Sequence, residues 1–319
     1  MPSPLTRRGF LAHASYLGGA AAAFGSPLLG AFGARASATE PRSLFDGKTL
    51  RGWRPIPRLA VPKDPRFADL PPEELKAAVV KFYEERRDKE PGKLEHVGRW
   101  EVVDGAIVGG HEPPDSMYGA YLLSEEKFGD FELELEARPD WPADTGIMIR
   151  AHELGSVGFQ VLVDHRPKGC IGGVYGNSIG GFLVAPFVMT GDKLPGYRVE
   201  HLRPSEPESG FHGVTPTYGA TFEDFLRAWK VNDWNHFRIR CLGALPVITT
   251  WINGAKICEL DTATMKVAGY DPEAVARVLG RAGHLAFEIH DVSLKNPLGL
   301  DRWAPGAVCR WRKISITEL

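Results

Sequence analysis

From Trp100 onward the chain reads as short runs in which apolar and polar residues alternate, most of them closed by a turn residue. Phe131-Glu132-Leu133-Glu134-Leu135-Glu136-Ala137 is the clearest case, with a glutamate at every second position. Period two is the signature of a strand with one buried face. Residues 146–150, 158–164, 235–241, 247–252, 255–260, 285–290 and 310–317 predict further strands. Asp104-Gly105 and Asn253-Gly254 sit between pairs of runs and predict hairpins with primed turns. Helical signals are few. Pro71-Pro72-Glu73-Glu74 opens a pattern reaching about Lys89, residues 220–230 hold a short one, and Asp271-Pro272 opens another to Leu279. Short strands at this spacing predict an all-β fold, a jelly-roll β-sandwich with a few helical insertions. The stretches 54–98 and 191–232 read as insertions between strands, of the kind that build binding sites. There is no internal repeat, and residues 39–319 are expected to form one domain.

Composition narrows the function classes. Gly 36 and Pro 25 among 319 residues fit a turn-rich β protein, and 43% hydrophobic with 24% charged residues excludes disorder. A formal net charge of −2 excludes a basic nucleic-acid binder. Four cysteines without a CxxC pair argue against a structural zinc knuckle. At the N-terminus Thr6-Arg7-Arg8-Gly9-Phe10-Leu11 precedes a weakly apolar Ala/Gly stretch and Ala36-Ser37-Ala38, a small-x-small cleavage pattern. Residues 1–38 are therefore expected to be a twin-arginine export signal, and the mature chain to be periplasmic or extracellular, touching membrane only through that signal. Disulfides would be permitted there, with no pairing of Cys170, Cys241, Cys258 and Cys309 legible.

The alternation also sorts candidate chemistry by face. Opposite the apolar positions of three runs stand Arg150, then Gln160 and Asp164, then Glu288 and His290. If those strands are neighbours, one surface gathers a cation, two carboxylates, an amide and an imidazole. An ordinary solvated sheet face explains the same pattern. Glu132, Glu134 and Glu136 resemble a glycosidase carboxylate pair, at about 6.6 Å between alternate residues, but strict alternation points to a wet outer face. Tyr118, Tyr121, Tyr175 and Trp229 are candidates to stack on sugar rings. Asp164-His165 and His290-Asp291 offer oxygen and nitrogen ligands to a divalent metal, with no diagnostic spacing. The glycine-rich run 169–181 does not lead from strand to helix, so turns or close backbone approach explain it better than a phosphate loop.

Several segments, in order, resemble a known family: Ser43-Leu44-Phe45-Asp46-Gly47-Lys48-Thr49-Leu50-Arg51-Gly52-Trp53, Trp100-Glu101-Val102-Val103-Asp104-Gly105, Phe128-Gly129-Asp130-Phe131-Glu132-Leu133 and Thr145-Gly146-Ile147-Met148-Ile149-Arg150. Gly158-Phe159-Gln160-Val161-Leu162-Val163-Asp164, Gly173-Val174-Tyr175-Gly176, Trp234-Asn235-His236-Phe237-Arg238-Ile239 and Trp311-Arg312-Lys313-Ile314-Ser315-Ile316 continue it. The chain resembles the 3-keto-disaccharide hydrolase family. That resemblance implies a concanavalin- or laminin-G-like jelly roll with a sugar-binding concave face. It also implies action on glycosides whose glucose ring carries a ketone at carbon 3.

Such a ketone acidifies the proton on carbon 2. A base removes it, an enediolate forms, and the carbon-1 substituent leaves by β-elimination; water adding to the enone completes a net hydrolysis. The expected assignments are His290 or Asp164 as base, Arg150 on the enediolate and Glu288 as acid or imidazole support, with a divalent metal as an alternative stabiliser. Gln160, Tyr175, His165, Trp229 and Tyr118 are the expected substrate contacts, and a carbohydrate the expected partner. The rival expectation is a carbohydrate-binding module of the same fold without catalysis.

Overall fold

Apolar residues at alternate positions bury one face of each strand, and two such sheets close on each other in the computed structural model. It describes residues 39–67, 70–191, 198–206, 213–292 and 302–319. The expected export signal, residues 1–38, lies outside the described residues. In chain order the strands are β1 (Arg42–Ser43), β2 (Trp53–Pro57), β3 (Arg99–Val103), β4 (Ala106–Gly110), β5 (Ala120–Phe128), β6 (Phe131–Pro139), β7 (Thr145–Ala151), β8 (Gly158–Val163) and β9 (Ile171–Asn177). They continue as β10 (Leu183–Val184), β11 (Met189–Gly191), β12 (Leu202–Pro204), β13 (Tyr218–Gly219), β14 (Asn235–Leu242), β15 (Val247–Ile252), β16 (Ala255–Asp261), β17 (Gly283–Ile289) and β18 (Val308–Glu318). Helices α1 (Pro72–Glu84), α2 (Phe222–Ala228) and α3 (Pro272–Leu279) interrupt them.

A nine-stranded sheet runs β13-β16-β15-β14-β6-β18-β4-β3, with β1 added on β18. A seven-stranded sheet runs β10-β9-β8-β7-β17-β5-β2. The protein is a jelly-roll sandwich. Asp104 and Gly105, and Asn253 and Gly254, all have positive φ, as primed hairpin turns demand. Between the sheets Phe287 stacks on Trp53 at 5.1 Å and on Trp311 at 4.8 Å, and Trp100 lies 5.7 Å from Trp311. That column ties β17 to β18; truncating a buried ring of this kind costs about 3–5 kcal/mol. All four cysteines are free and buried.

Three expectations change. The α1 pattern stops at Glu84 and turns carry on towards Leu94, because the later charged residues give no apolar stripe to bury. β5 and β9 are strands that alternation did not reveal. In β7, three steps from Met148 to Ala151 face two steps from Ala286 to His284 on β17. This bulge, with Arg150 at φ 51, turns the Arg150 side chain away from the face its position in the run implies.

Candidate functional site

Residues paired across antiparallel strands share a face, so register places the polar groups of the seven-stranded sheet. Glu288 on β17 is paired with Tyr121 on β5, and Tyr121 with Ile56 on β2. Gln160 on β8 is paired with Met148 on β7 and with Tyr175 on β9. These residues lie on the face turned away from the sandwich core. Glu288 is fully buried and accepts from Arg58 Nε at 2.7 Å, from the Tyr121 hydroxyl at 3.1 Å and from the Gln160 amide. Gly146 makes the last contact possible, since a Cβ there would overlap the Gln160 side chain. The Asn177 amide donates to Gln160 Oε1 at 3.5 Å and to the Tyr121 oxygen at 3.4 Å.

Arg58 follows β2 on the same face as Ile56 and links two halves of the cluster. Its Nη1 donates to Asp291 at 2.6 Å, and the other Asp291 oxygen accepts from Lys93 Nζ at 2.7 Å and the Gly119 amide at 2.6 Å. Arg58 and Lys93 outweigh the burial that would raise the Asp291 carboxyl, and hold it down at about 2. Arg58 Nη2 lies 3.2 Å and Arg302 Nη1 2.7 Å from His290 Nε2. Guanidinium nitrogens only donate, so Nε2 is the acceptor. Nδ1–H of the same ring donates to the Asp291 carbonyl at 2.9 Å, which fixes the neutral tautomer. Burial, then Arg302 and Arg58, keep the His290 pKa well below its ordinary value.

Arg302 Nη1 also donates to Asp144 Oδ2 at 2.7 Å. Arg166 Nε lies 3.2 Å from that oxygen and 2.9 Å from Asp164 Oδ1, so one guanidinium bridges two buried carboxylates. Burial and the neighbouring Asp164 push Asp144 up to about 7, against Arg166 and Arg302. Burial acts the same way on Asp164, but Arg166 holds it below the usual carboxylate range. The cluster thus combines two cations on a neutral imidazole, a buried carboxylate beneath, and an acid that changes charge near neutrality. This equipment suits moving a proton beside a developing oxyanion.

The structure brings Glu288, His290, Gln160, Tyr175 and Asp164 into this neighbourhood; Tyr175 feels Arg58, Arg302 and Glu288 electrostatically. Arg150 is elsewhere. The bulge buries it at 1% exposure, where it donates to Asp130 at 2.9 Å and to the Gly243 carbonyl at 3.1 Å and lines a void of about 10 Å³. Trp229 is core, 3% exposed and 5.9 Å from Phe225, so it offers no face to a sugar. His165 is buried 4.4 Å from the Trp141 ring. Tyr118 sits at the margin with Lys93 Nζ 4.9 Å over its ring. Glu132, Glu134 and Glu136 are on the opposite sheet, paired with Arg240, His236 and Arg312.

Arg58, Arg302, Asp144 and Lys93 were not singled out from the sequence. Asp144 immediately precedes the Thr145-Gly146 segment, and Asp291 follows His290, so local context offered a clue for the acids. Arg58, Lys93 and Arg302 arrive from outside the alternating runs. For a divalent ion, no three His, Cys, Asp or Glu side chains converge as a ligand set among the described residues. Asp144, Asp164, Glu288 and Asp291 are already neutralised by Arg or Lys, so the donor set does not fit a cation.

Comparison with curated proteins gives no match. Among solved structures, a candidate glycosyl hydrolase from Parabacteroides distasonis is similar at 12% identity and TM-score 0.40, covering 88% of this chain and 94% of that one. The carbohydrate-binding module CBM66 from Bacillus subtilis is similar at 10% identity and TM-score 0.36, covering 69% and 91%. A prokaryotic β-1,3-1,4-glucanase derived from a mouse hindgut metagenome is similar at 12% identity and TM-score 0.35, covering 69% and 82%. A family model for the 3-keto-alpha-glucoside-1,2-lyase-like domain matches residues 40–317, nearly the whole of the sandwich. The chain belongs to the 3-keto-alpha-glucoside-1,2-lyase-like family.

Proposed function

We propose that this protein cleaves 3-keto glucosides at the Arg58–His290–Arg302 cluster. The observation that carries the reading is the His290 imidazole, neutral and held by two guanidiniums through the one lone pair a base would use. When a ketone oxygen at carbon 3 takes up those two donors, Nε2 is released to accept the carbon-2 proton. The electron pair of that C–H bond moves to the ketone oxygen as an enediolate, which Arg58 and Arg302 neutralise. Collapse of the enediolate expels the carbon-1 oxygen with its bonding pair, and that oxygen takes the proton back from the His290 imidazolium, which restores the neutral base. Imidazolium beside two arginines is unfavourable alone and becomes favourable once the enediolate supplies a negative charge. Glu288 holds Arg58, and Asp144 holds Arg302.

The test is incubation of the protein with a 3-keto glucoside and with its unoxidised parent. Loss of the ketone substrate alone supports the reading; consumption of neither, or of the parent as well, overturns it. The second reading, a carbohydrate-binding module, draws on the complete ion pairing of the cluster's carboxylates, which leaves no carboxylate free of a cation; it predicts binding without turnover. We further infer export by the twin-arginine route from residues 1–38. Replacing Arg7 and Arg8 with lysine should then retain the full-length chain in the cytoplasm, and unchanged export would reject it.

A further inference from the structure

We propose that a half-open cavity of about 300 Å³ beside the cluster receives the leaving group of the substrate, and that this group is a neutral apolar ring rather than a second sugar. The proposal rests on the 3-keto glucoside reading. Ile56, Leu59, Val80, Leu94 and Leu154 supply apolar walls, with Val80 on α1. Two chain segments are shared between cavity and cluster. Arg58 reaches Glu288 while the next residue, Leu59, lines the cavity; Lys93 reaches Asp291 while Leu94 and Glu95 line it. Arg58, just beyond β2, continues the face of Ile56, about 6.6 Å along the chain. A group leaving carbon 1 of a sugar held at Arg58 is therefore next to this space.

Charge selects the class of occupant. Lys76 is paired with Glu153 at 3.0 Å and Arg87 with Glu95, while Glu84 adds a further acid. Both cations are spent and the excess is negative, which disfavours an anionic ligand. Six of the eleven lining side chains are apolar and four of the five charged ones are tied to each other in ion pairs, so a ring with few hydroxyls gains more from this space than a hydroxyl-rich sugar does. The helical insertion thus supplies the specificity wall of the site.

The test compares cyclohexyl and methyl glucosides of one anomeric configuration, both oxidised at carbon 3, since the two leaving alcohols have similar acidity. Each buried methylene contributes about 0.8 kcal/mol, so kcat/KM for the cyclohexyl compound should exceed that for methyl at least about tenfold. Filling the cavity with Val80→Trp should abolish the preference and leave the methyl compound within about twofold. Glu84→Trp, on the exposed end of α1, repeats the test without touching the core. Equal rates for both compounds in the wild type, or a parallel loss for both in the variants, overturns the proposal while leaving the activity intact. If neither compound is turned over, calorimetry with unoxidised cyclohexyl glucoside decides separately: binding weakened at least about tenfold by both variants supports the cavity, and binding unchanged by them overturns it.

Discussion

On β6, Glu132, Glu134 and Glu136 meet Arg240, His236 and Arg312 across the outer face of the nine-stranded sheet. On the seven-stranded sheet, Glu288 meets Arg58, and Asp144 meets Arg302 and Arg166. Only the outer set is a ladder built on strand alternation; the inner one joins Glu288 of β17 to groups that arrive from beyond the strand ends. Glu134 and His236 keep 47% and 42% of their side-chain surface in water, whereas Glu288 keeps none and Arg58 11%. In water the ions are screened and each pair contributes about 0–1 kcal/mol. Out of water each ion depends on its partner, and removing one partner costs about 3–5 kcal/mol. Pairs of acid and base are thus a solubilising surface on one sheet and a poised, tightly constrained cluster beside the other.

The largest expected effect comes from Glu288→Ala. It removes the buried acceptor shared by Arg58, Tyr121 and Gln160, leaving Arg58 with Asp291 alone, and should lower unfolding stability by about 3–5 kcal/mol in urea titrations. A loss below about 1 kcal/mol would mean that the inner cluster behaves like the outer ladder. Next, His290→Asn should cut turnover of a 3-keto glucoside at least about a hundredfold while folding normally; near wild-type rates would remove the imidazole from the mechanism.

The pH dependence separates the acids. With Asp144 raised to about 7, turnover should climb between pH 6 and 8 as its carboxylate forms and fixes Arg302, and Asp144→Asn should erase that climb. The same shift makes the folded state hold a proton that the unfolded state releases above the ordinary 3.8, so this group's contribution to stability falls as pH rises from about 4 to 7. Asp291, lowered to about 2, acts oppositely: its contribution is complete above 3.8 and is lost as pH falls through about 2. Melting curves should therefore show an acid limb that Asp291→Asn flattens. The smallest effect belongs to Glu134→Gln on the outer ladder, with a stability change under about 1 kcal/mol and unchanged turnover. A larger change there would dissolve the contrast between the two faces.

Period-two alternation carried most of the sandwich, because one buried face per strand is written locally. β5 is not legible in the sequence because Ser124-Glu125-Glu126-Lys127 breaks the alternation. β9 was hidden among glycines that make room for a neighbour: a Cβ at Gly176 would enter the Phe182 ring, and one at Gly173 would press on the Val184 carbonyl. Site residues on strand interiors, Gln160 and Glu288, could be grouped by parity. Arg150 could not, since a single extra residue in β7 reverses parity beyond it. Arg58, Lys93 and Arg302 lie outside the alternating runs, and only the folded chain brings them to His290.

The cysteines have a practical corollary. Burial lifts the Cys170 and Cys241 thiols to about 12 and raises Cys258 and Cys309 too. The folded molecule consequently shows little thiolate to an oxidant or an alkylating reagent. Capture of these sulfurs by a maleimide would then count openings of the sandwich itself, a stopwatch already built into the sequence.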